Sequence, residues 1–362
     1  MDKKTTPISL GFDPAIENLK PVLSQVEVSK IENREGWSRR EFLSTATLAG
    51  TGALLGMPSH IDAAEPPPET RKLRLVKIPS ICQAPQFVAE EFFRAEGFKD
   101  IEYVPKPGAK GIETALASGE ADINMHFNAR LLMRLEAGDP IVILAGGHVG
   151  CFELFANERV RTVRDLKGKT VGVLELESSQ HAFIASMVAH VGLDPRKDIR
   201  WIPQPPADSI AQLVDSKIDA FLGFPPEPQR LRSMKNKSIH VLVNSMVDRP
   251  WSQYFCCMVT GNQEFVRKHP VATKRALRAI LNASSSIARE PERTARFLVD
   301  RGFTQNYNFA VDALKEMGMA FTAWREFDPE DTLRFYALRL HESGMIKTSP
   351  QKLIAQAGDW RF

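Results

Sequence analysis

Side chains able to bind or react gather in five short stretches. Ser80, Cys82 and Gln83 stand in the first, residues 79–85. Lys110 stands in the second, 108–111. His126 and Phe127 open the third, 126–128. Glu175, Ser178, Ser179 and His181 crowd the fourth, 175–181, and Phe224 and Glu227 flank a Pro pair in the fifth, 223–227. The serines precede an apolar run, so two roles are open to them. One is to hold an anion with hydroxyls and backbone N–H groups at a helix start. The other is a plain N-cap worth about 1 kcal/mol. Lys110 reads as a positive charge for a ligand or as an exposed lysine, and His126 and His181 as ligand donors or as satisfied structural histidines. Phe127 and Phe224 either stack on a flat ligand or belong to the core. Glu175, Glu177 and Glu227 would repel a sulfonate or nitrate if they faced a cleft. No Arg occurs in the five stretches, although bidentate Arg is a good anion clamp. Both facts favour a neutral or nitrogen-rich ligand such as a pyrimidine, unless those carboxylates point to solvent.

The eight His and four Cys show no paired short spacing of a zinc site, so no metal and no cofactor is expected. Cys256 and Cys257 are adjacent in a strand-like run. Their side chains are expected on opposite faces as small core residues.

The elements that must position these stretches read as an α/β protein. Apolar runs predict strands at 73–78, 101–104, 122–126, 141–145, 151–156, 170–174, 199–202, 218–222, 239–243 and 253–260. Helical periods predict helices at 87–95, 111–118, 129–137, 179–191, 209–216 and 227–235. From residue 263 onward the pattern is helical: 264–269, 270–289, 291–301, 307–319, 329–343 and 350–357. Pro270, Pro291, Pro329 and Pro350 mark helix starts. Strand–helix–strand repeats with short loops predict two α/β series with mainly parallel sheets. Ligands of such sheets bind beyond the carboxyl ends of strands, which is where the five stretches fall.

The chain has 362 residues, enough for about two domains. At 43% hydrophobic and 25% charged, its composition excludes a disordered chain or a polytopic membrane protein. A net charge of +3 gives no nucleic-acid footprint. Four cysteines are too few for a disulfide scaffold. Gly168-Lys169-Thr170 lacks the earlier glycine of a P-loop, and no G-x-S-x-G occurs.

Residues 1–64 read as a disordered leader and export signal. Ser38-Arg39-Arg40-Glu41-Phe42-Leu43 followed by an apolar stretch to Met57 resembles a twin-arginine signal, with the pair Arg39 and Arg40 at its centre. The apolar stretch is shorter than the ~20 residues a membrane span needs. Residues 65–70 read as a Pro-rich linker.

The order of several motifs then carries a resemblance. "Leu-Ala-Ser-Gly-Glu-Ala-Asp-Ile" ends at Ile123, and "Leu-Glu-Ala-Gly-Asp-Pro-Ile" at Ile141. "Val-Arg-Asp-Leu-Lys-Gly-Lys-Thr-Val-Gly-Val" ends at Val173, "Val-Gly-Leu-Asp" at Asp194, and "Val-Asp-Ser-Lys-Ile-Asp-Ala-Phe" at Phe221. The series resembles the substrate-binding proteins of ABC importers in the nitrate, sulfonate and taurine group, including thiamine-pyrimidine-precursor binders. The resemblance implies a two-lobed periplasmic-binding-protein fold (type II) with two hinge-crossing segments and a helical C-terminal region. Lobe 1 is expected at 71–157 plus 251–362 and lobe 2 at 158–250, with crossings near 156–162 and 244–251. The hinge adds His148, Cys151 and Trp251 to the ligand candidates. The implied protein is a monomer without enzymatic activity, exported to the periplasm by the twin-arginine translocase. It would be membrane-tethered if the signal stayed uncleaved. It would hand a small-molecule ligand to ABC permease and ATPase subunits. A rival resemblance is to desulfinases of the same fold, which use a first-loop Cys as nucleophile. That role would fall to Cys82, activated by His126 or His148.

Overall fold

The structure is a computed structural model and describes residues 65–105 and 111–362. Arg39, Arg40 and Lys110 lie outside the described residues. The first half alternates β1 (Lys72–Lys77), α1 (Ala84–Val88), α2 (Glu90–Ala95), β2 (Asp100–Pro105), α3 (Gly111–Ala117), β3 (Ile123–Phe127), α4 (Asn128–Glu136) and β4 (Ile141–Val149). A second series follows: β5 (Glu153–Asn157), β6 (Thr170–Val173), α5 (Ser179–His190), β7 (Arg200–Pro203), α6 (Pro206–Val214), β8 (Ala220–Gly223), α7 (Glu227–Ser233) and β9 (Ile239–Asn244). After β10 (Phe255–Asn262) come α8 (Gln263–Lys268), α9 (Pro270–Arg289), α10 (Pro291–Asp300), α11 (Tyr307–Glu316), α12 (Pro329–Glu342) and α13 (Pro350–Ala357). Every strand starts within two residues of its predicted position, and β4 runs four residues longer. The predicted helix 87–95 is two short helices. Among the described residues no helix is long and apolar enough to cross a membrane.

The sheets are mixed rather than mainly parallel. β1 pairs with β2, and β6 with β7 and β8, in parallel. β10 runs antiparallel between β3 and β4, and β5 runs antiparallel between β8 and β9. The strand orders are β1-β2, β3-β10-β4 and β7-β6-β8-β5-β9. The antiparallel members β5 and β10 are those that follow each passage between sheets, and apolar runs carry no mark of direction. Buried side chains join the first two sheets in place of a ladder. Asn124 Oδ1 accepts from Val76 N–H and from Gln86 Nε2, each at 2.9 Å. Gln86 Oε1 in turn accepts from Met125 N–H at 2.6 Å.

The chain passes from the β3-β10-β4 sheet to the five-stranded sheet at 150–152 and returns at 245–254. One hydroxyl clamps the two passages together. Ser245 Oγ accepts from Cys151 N–H (3.2 Å) and Phe152 N–H (3.0 Å) and lies 2.9 Å from Phe152 O as a donor. Gly150 has φ +51°, and a Cβ there would fall 2.5 Å from Met246 Cα. Only glycine allows that approach without strain.

Residues 65–70, the Pro-rich segment, contact α9 at two points. Glu65 Oε2 meets Arg278 Nη2 at 2.5 Å, and Glu69 accepts from Val271 and Ala272 N–H at 2.9 and 2.8 Å. Glu69 thereby caps the first turn of α9, where N–H groups lack intrahelical partners. Replacing Glu69 with Ala is expected to lower stability by about 0.5–1 kcal/mol, read from the urea midpoint at pH 7. An unchanged midpoint would show that the strap adds nothing to α9.

Candidate functional site

A small cavity of about 80 Å³ lies where the two sheet systems present strand ends to each other. Ser80, Cys82 and Gln83 reach it from the loop after β1, and His126 and Phe127 from the end of β3. Leu174 follows β6, Ser179 and Gln180 open α5, and Phe224 follows β8. Ile78, Ile112, Phe152 and Cys257 complete the wall. Larger grooves exist, such as one of about 460 Å³ beside Pro140, Gln263 and Arg361. Among the described residues, the larger grooves beside Gln263, Phe297, Trp201 and His269 do not gather strand ends from both sheet systems, so position rather than volume selects the small one.

Seven residues singled out from the sequence therefore meet here: Ser80, Cys82, Gln83, His126, Phe127, Ser179 and Phe224. Ser178 sits one residue back and is the N-cap of α5, its hydroxyl accepting from His181 N–H at 3.3 Å. Ser179 is then the hydroxyl that faces the cavity, at a helix N-terminus with exposed N–H capacity. Gln83 Nε2 donates to Met125 O at 2.9 Å, which leaves its Oε1 buried without a partner.

The other candidates lie elsewhere. His181 Nδ1 accepts from Glu177 N–H at 2.8 Å, and its ring meets Trp201 edge-on at 4.5 Å in a separate groove. Burial holds it neutral, with a pKa of about 4. Glu175 is half-buried and outside the cavity wall. Glu227 begins α7, and burial pushes its carboxyl up to about 7, with Oε2 unpartnered. Trp251 is core: its ring packs against Phe183, Phe335 and His190 at 5.1, 5.5 and 5.7 Å. His148 and Cys151 sit beside Cys82 and Cys257, His148 fully buried.

A buried cluster of Glu113, Arg130 and His126 adjoins the cavity. Glu113 Oε1 lies 2.5 Å from Arg130 Nε and 3.2 Å from His126 Nε2, the latter without the alignment of a hydrogen bond. Burial alone would raise the Glu113 carboxyl. The neighbouring His126 and Arg130 outweigh burial and hold it at about 2. Glu113 thus balances Arg130, and among the described residues no Lys or Arg lines the cavity.

Sequence spacing missed Cys257, Gln180, Phe152, Leu174, Ile78 and Ile112. Gln180 lay inside a flagged stretch and Phe152 beside Cys151. Cys257 gave no signal, because its position depends on a strand irregularity. The register shifts between Phe255 and Cys257, setting two residues of β10 against one of β4. This bulge at Cys256 overturns the expected opposite orientation of the pair. Cys151 Sγ lies 3.1 Å from Cys256 Sγ and within 4.8 Å of Cys257 Sγ.

Cys82 does not show the low pKa a nucleophile needs. A hydrogen bond with Cys151 pulls its thiol down, but Cys257 and burial outweigh that and leave it raised. His126 is engaged with Glu113 rather than with this thiol, and His148, which does stand within 4.8 Å of it, lowers it by less than Cys257 and burial raise it.

The sequence profile of the NMT1/THI5-like family matches residues 83–294. The chain belongs to the NMT1/THI5-like family. This is the family the motif order pointed to. A curated relative of this NMT1/THI5-like chain is the nitrate import ATP-binding protein NrtC of Synechocystis sp. It is 24% identical over 288 residues, spanning 70% of this chain and 42% of that protein. The chain thus matches under half the relative's length. The periplasmic nitrate-binding protein NrtA from Synechocystis PCC 6803 superposes with a TM-score of 0.64 at 17% identity, covering 81% of this chain and 87% of that one. The periplasmic aliphatic sulphonate binding protein SsuA from Escherichia coli gives 0.64 at 17%, covering 80% and 92%. An alkanesulfonate-binding SsuA from Xanthomonas axonopodis pv. citri, bound to MOPS, gives 0.60 at 17%, covering 80% and 99%. The fold is therefore the two-lobed α/β fold of periplasmic binding proteins, with a helical C-terminal region.

Proposed function

We propose that this protein is the solute-binding component of an ABC importer. It captures one small organic ligand, pyrimidine-like, sulfonate or related, and delivers it unchanged to a permease driven by an ATPase. The observation that carries this reading is the cavity itself. Ends of β1 and β3 on one side face the ends of β6 and β8 and the start of α5 on the other, so closing the two sides encloses whatever sits between. The lobe boundaries expected from the sequence fall at 157/158 and 250/251; because β5 pairs with β8 and β9 in the five-stranded sheet, we assign lobe 2 to 153–244 and lobe 1 to the remainder of 71–362 outside the two connecting segments. The Ser245 clamp and Gly150 stand in the connecting segments, where a hinge motion would turn.

The lining favours a flat, weakly charged ligand. Phe224 is partly exposed and offers ring surface, while Phe127 and Phe152, packed against Phe183, add apolar wall behind it. Gln83 Oε1 offers an acceptor, and Ser179 a hydroxyl with α5 N–H groups behind it. The charge of Arg130 is already balanced by Glu113. A pyrimidine fits that chemistry better than a sulfonate. At about 80 Å³ the closed space suits only a small molecule, and larger members of the class require the lobes to part.

A thermal-shift panel of pyrimidines, sulfonates, taurine and nitrate tests this. A ligand at a hundredfold excess over its Kd stabilises the native state by about 2.7 kcal/mol. The expected result is an upward shift with pyrimidines that exceeds any shift with sulfonates. A shift with sulfonates alone would contradict the ligand class, and no shift with any of them would contradict capture of this class.

The reading places the protein in the periplasm as a monomer, exported through the twin-arginine translocase by the signal around Arg39 and Arg40. Replacing both with Lys is expected to leave more than about nine-tenths of the protein as precursor in the cytoplasm, scored by fractionation. Normal export of that variant would remove the signal assignment.

A further inference from the structure

Three of the four cysteines of the chain, with one histidine, converge on one buried point at the wall of the cavity. Cys82 Sγ, Cys151 Sγ, Cys257 Sγ and a ring nitrogen of His148 all lie within 4.8 Å of one another. The elements bring them from far apart in sequence. Cys82 comes from the loop after β1, His148 from β4, Cys151 from the first passage between sheets, and Cys257 from the bulged part of β10, directly opposite His148 in the ladder. All four are buried.

We propose that these four residues form a binding site for a thiophilic metal ion, with zinc(II) the best match. Three thiolates and one imidazole are the donor set of a closed tetrahedral zinc site. With Zn–S at about 2.3 Å and Zn–N at about 2.0 Å, tetrahedral ligand atoms stand roughly 3.5–3.8 Å apart, inside the observed 4.8 Å envelope. Soft thiolates select zinc or copper(I) over calcium or magnesium, which take oxygen ligands.

The histidine supplies an independent observation. Its Nδ1 lies 3.2 Å from Val149 O and 3.1 Å from Gly150 O. Carbonyl oxygens can only accept, so Nδ1 carries a hydrogen, and in the neutral ring that a metal ion requires Nε2 is the bare nitrogen. That Nε2 is buried and has no hydrogen-bond partner. A ligating histidine characteristically donates its other ring N–H to a backbone carbonyl, which fixes tautomer and ring orientation. A buried acceptor left unpaired is costly, and a metal ion would satisfy it. Binding converts the three thiols to thiolates and releases their protons to solvent.

The site stands apart from the identity of the organic ligand. Because Cys82 and Cys257 also line the cavity, the metal would form part of the wall that the ligand meets.

The test uses the full chain with its cysteines reduced. Zinc(II) is titrated against a chromophoric chelator, and cobalt(II) serves as a spectroscopic probe. The expected result is one metal per chain, with the intense visible bands of tetrahedral cobalt and thiolate-to-metal charge transfer. Cys257→Ser and His148→Asn should each weaken zinc binding more than about a hundredfold, beyond the cost of losing an outer partner. Cys256→Ser, outside the set, should bind as the wild type does. A six-coordinate cobalt spectrum, or undiminished binding by Cys257→Ser, would overturn the site. So would a Cys151–Cys256 disulfide in the protein isolated without reductant, because it would consume one ligand.

Discussion

Glu113→Gln is expected to destabilise the protein by about 3 kcal/mol at pH 7. The side chains of Glu113 and Arg130 are 2% and 3% exposed, and their Nε–Oε1 distance is 2.5 Å. Removing Glu113 leaves the buried Arg130 with only the exposed Glu177 carboxylate, 3.9 Å away, and losing one partner of a buried pair costs about 3–5 kcal/mol, here at the low end. Titration leads to a similar figure. The carboxyl falls from an ordinary 4.5 to about 2 in the fold, and each unit is worth about 1.4 kcal/mol. A depressed carboxylate pKa stabilises the fold above the unfolded value and loses that contribution as pH falls through the folded one. The wild type should therefore lose stability between about pH 4.5 and pH 2, and Glu113→Gln should lack that slope. Urea midpoints across this range read both effects. A further replacement, Arg130→Met, should recover part of the loss, because no unpaired charge then remains. A single variant within 1 kcal/mol of wild type at pH 7 would show that the cluster is not the buried anchor its geometry indicates.

Gln83→Met is expected to weaken ligand binding tenfold to a hundredfold with little effect on the fold. Its Oε1 is the buried acceptor without a protein partner, and a hydrogen bond lost from a desolvated site costs about 1–3 kcal/mol. The fold loses only the bond from Nε2 to Met125 O. That carbonyl keeps a second donor, Asn124 Nδ2, at 2.7 Å, so the stability cost stays near 1 kcal/mol. Titration calorimetry with the best ligand of the panel, beside a urea midpoint, separates the two quantities. Unchanged affinity would show that the ligand takes its donor contacts elsewhere.

Local pattern was enough for the elements. Strand starts such as Leu73 and Thr170 follow from apolar runs, and helix starts such as Pro270 and Pro329 from the missing N–H. The loops at strand ends were legible for the same reason, so Ser80, His126, Ser179 and Phe224 were found without knowing the partners they meet. Strand direction was not legible, because β5 and β10 look the same to a hydropathy pattern whichever way they pair. Nor was burial around a ring: Trp251 and Phe127 both pack into the core, and only Phe127 also reaches the cavity wall. His181 was misdirected by adjacency, since it caps its own turn through Glu177 and leans on Trp201. The thiol cluster was hidden most deeply. Cys82, His148, Cys151 and Cys257 have no common spacing, and only the bulge at Cys256 turns Cys257 toward the others.

The most direct measurement of the central claim is native mass spectrometry of the protein incubated with its best ligand, followed by release and mass analysis of what was bound. Capture for transport predicts one ligand per chain, released with the mass it had when added. A released molecule of altered mass would contradict the account and make this chain an enzyme. Failure of any panel ligand to give a one-to-one complex would remove the strand-end cavity as its capture site.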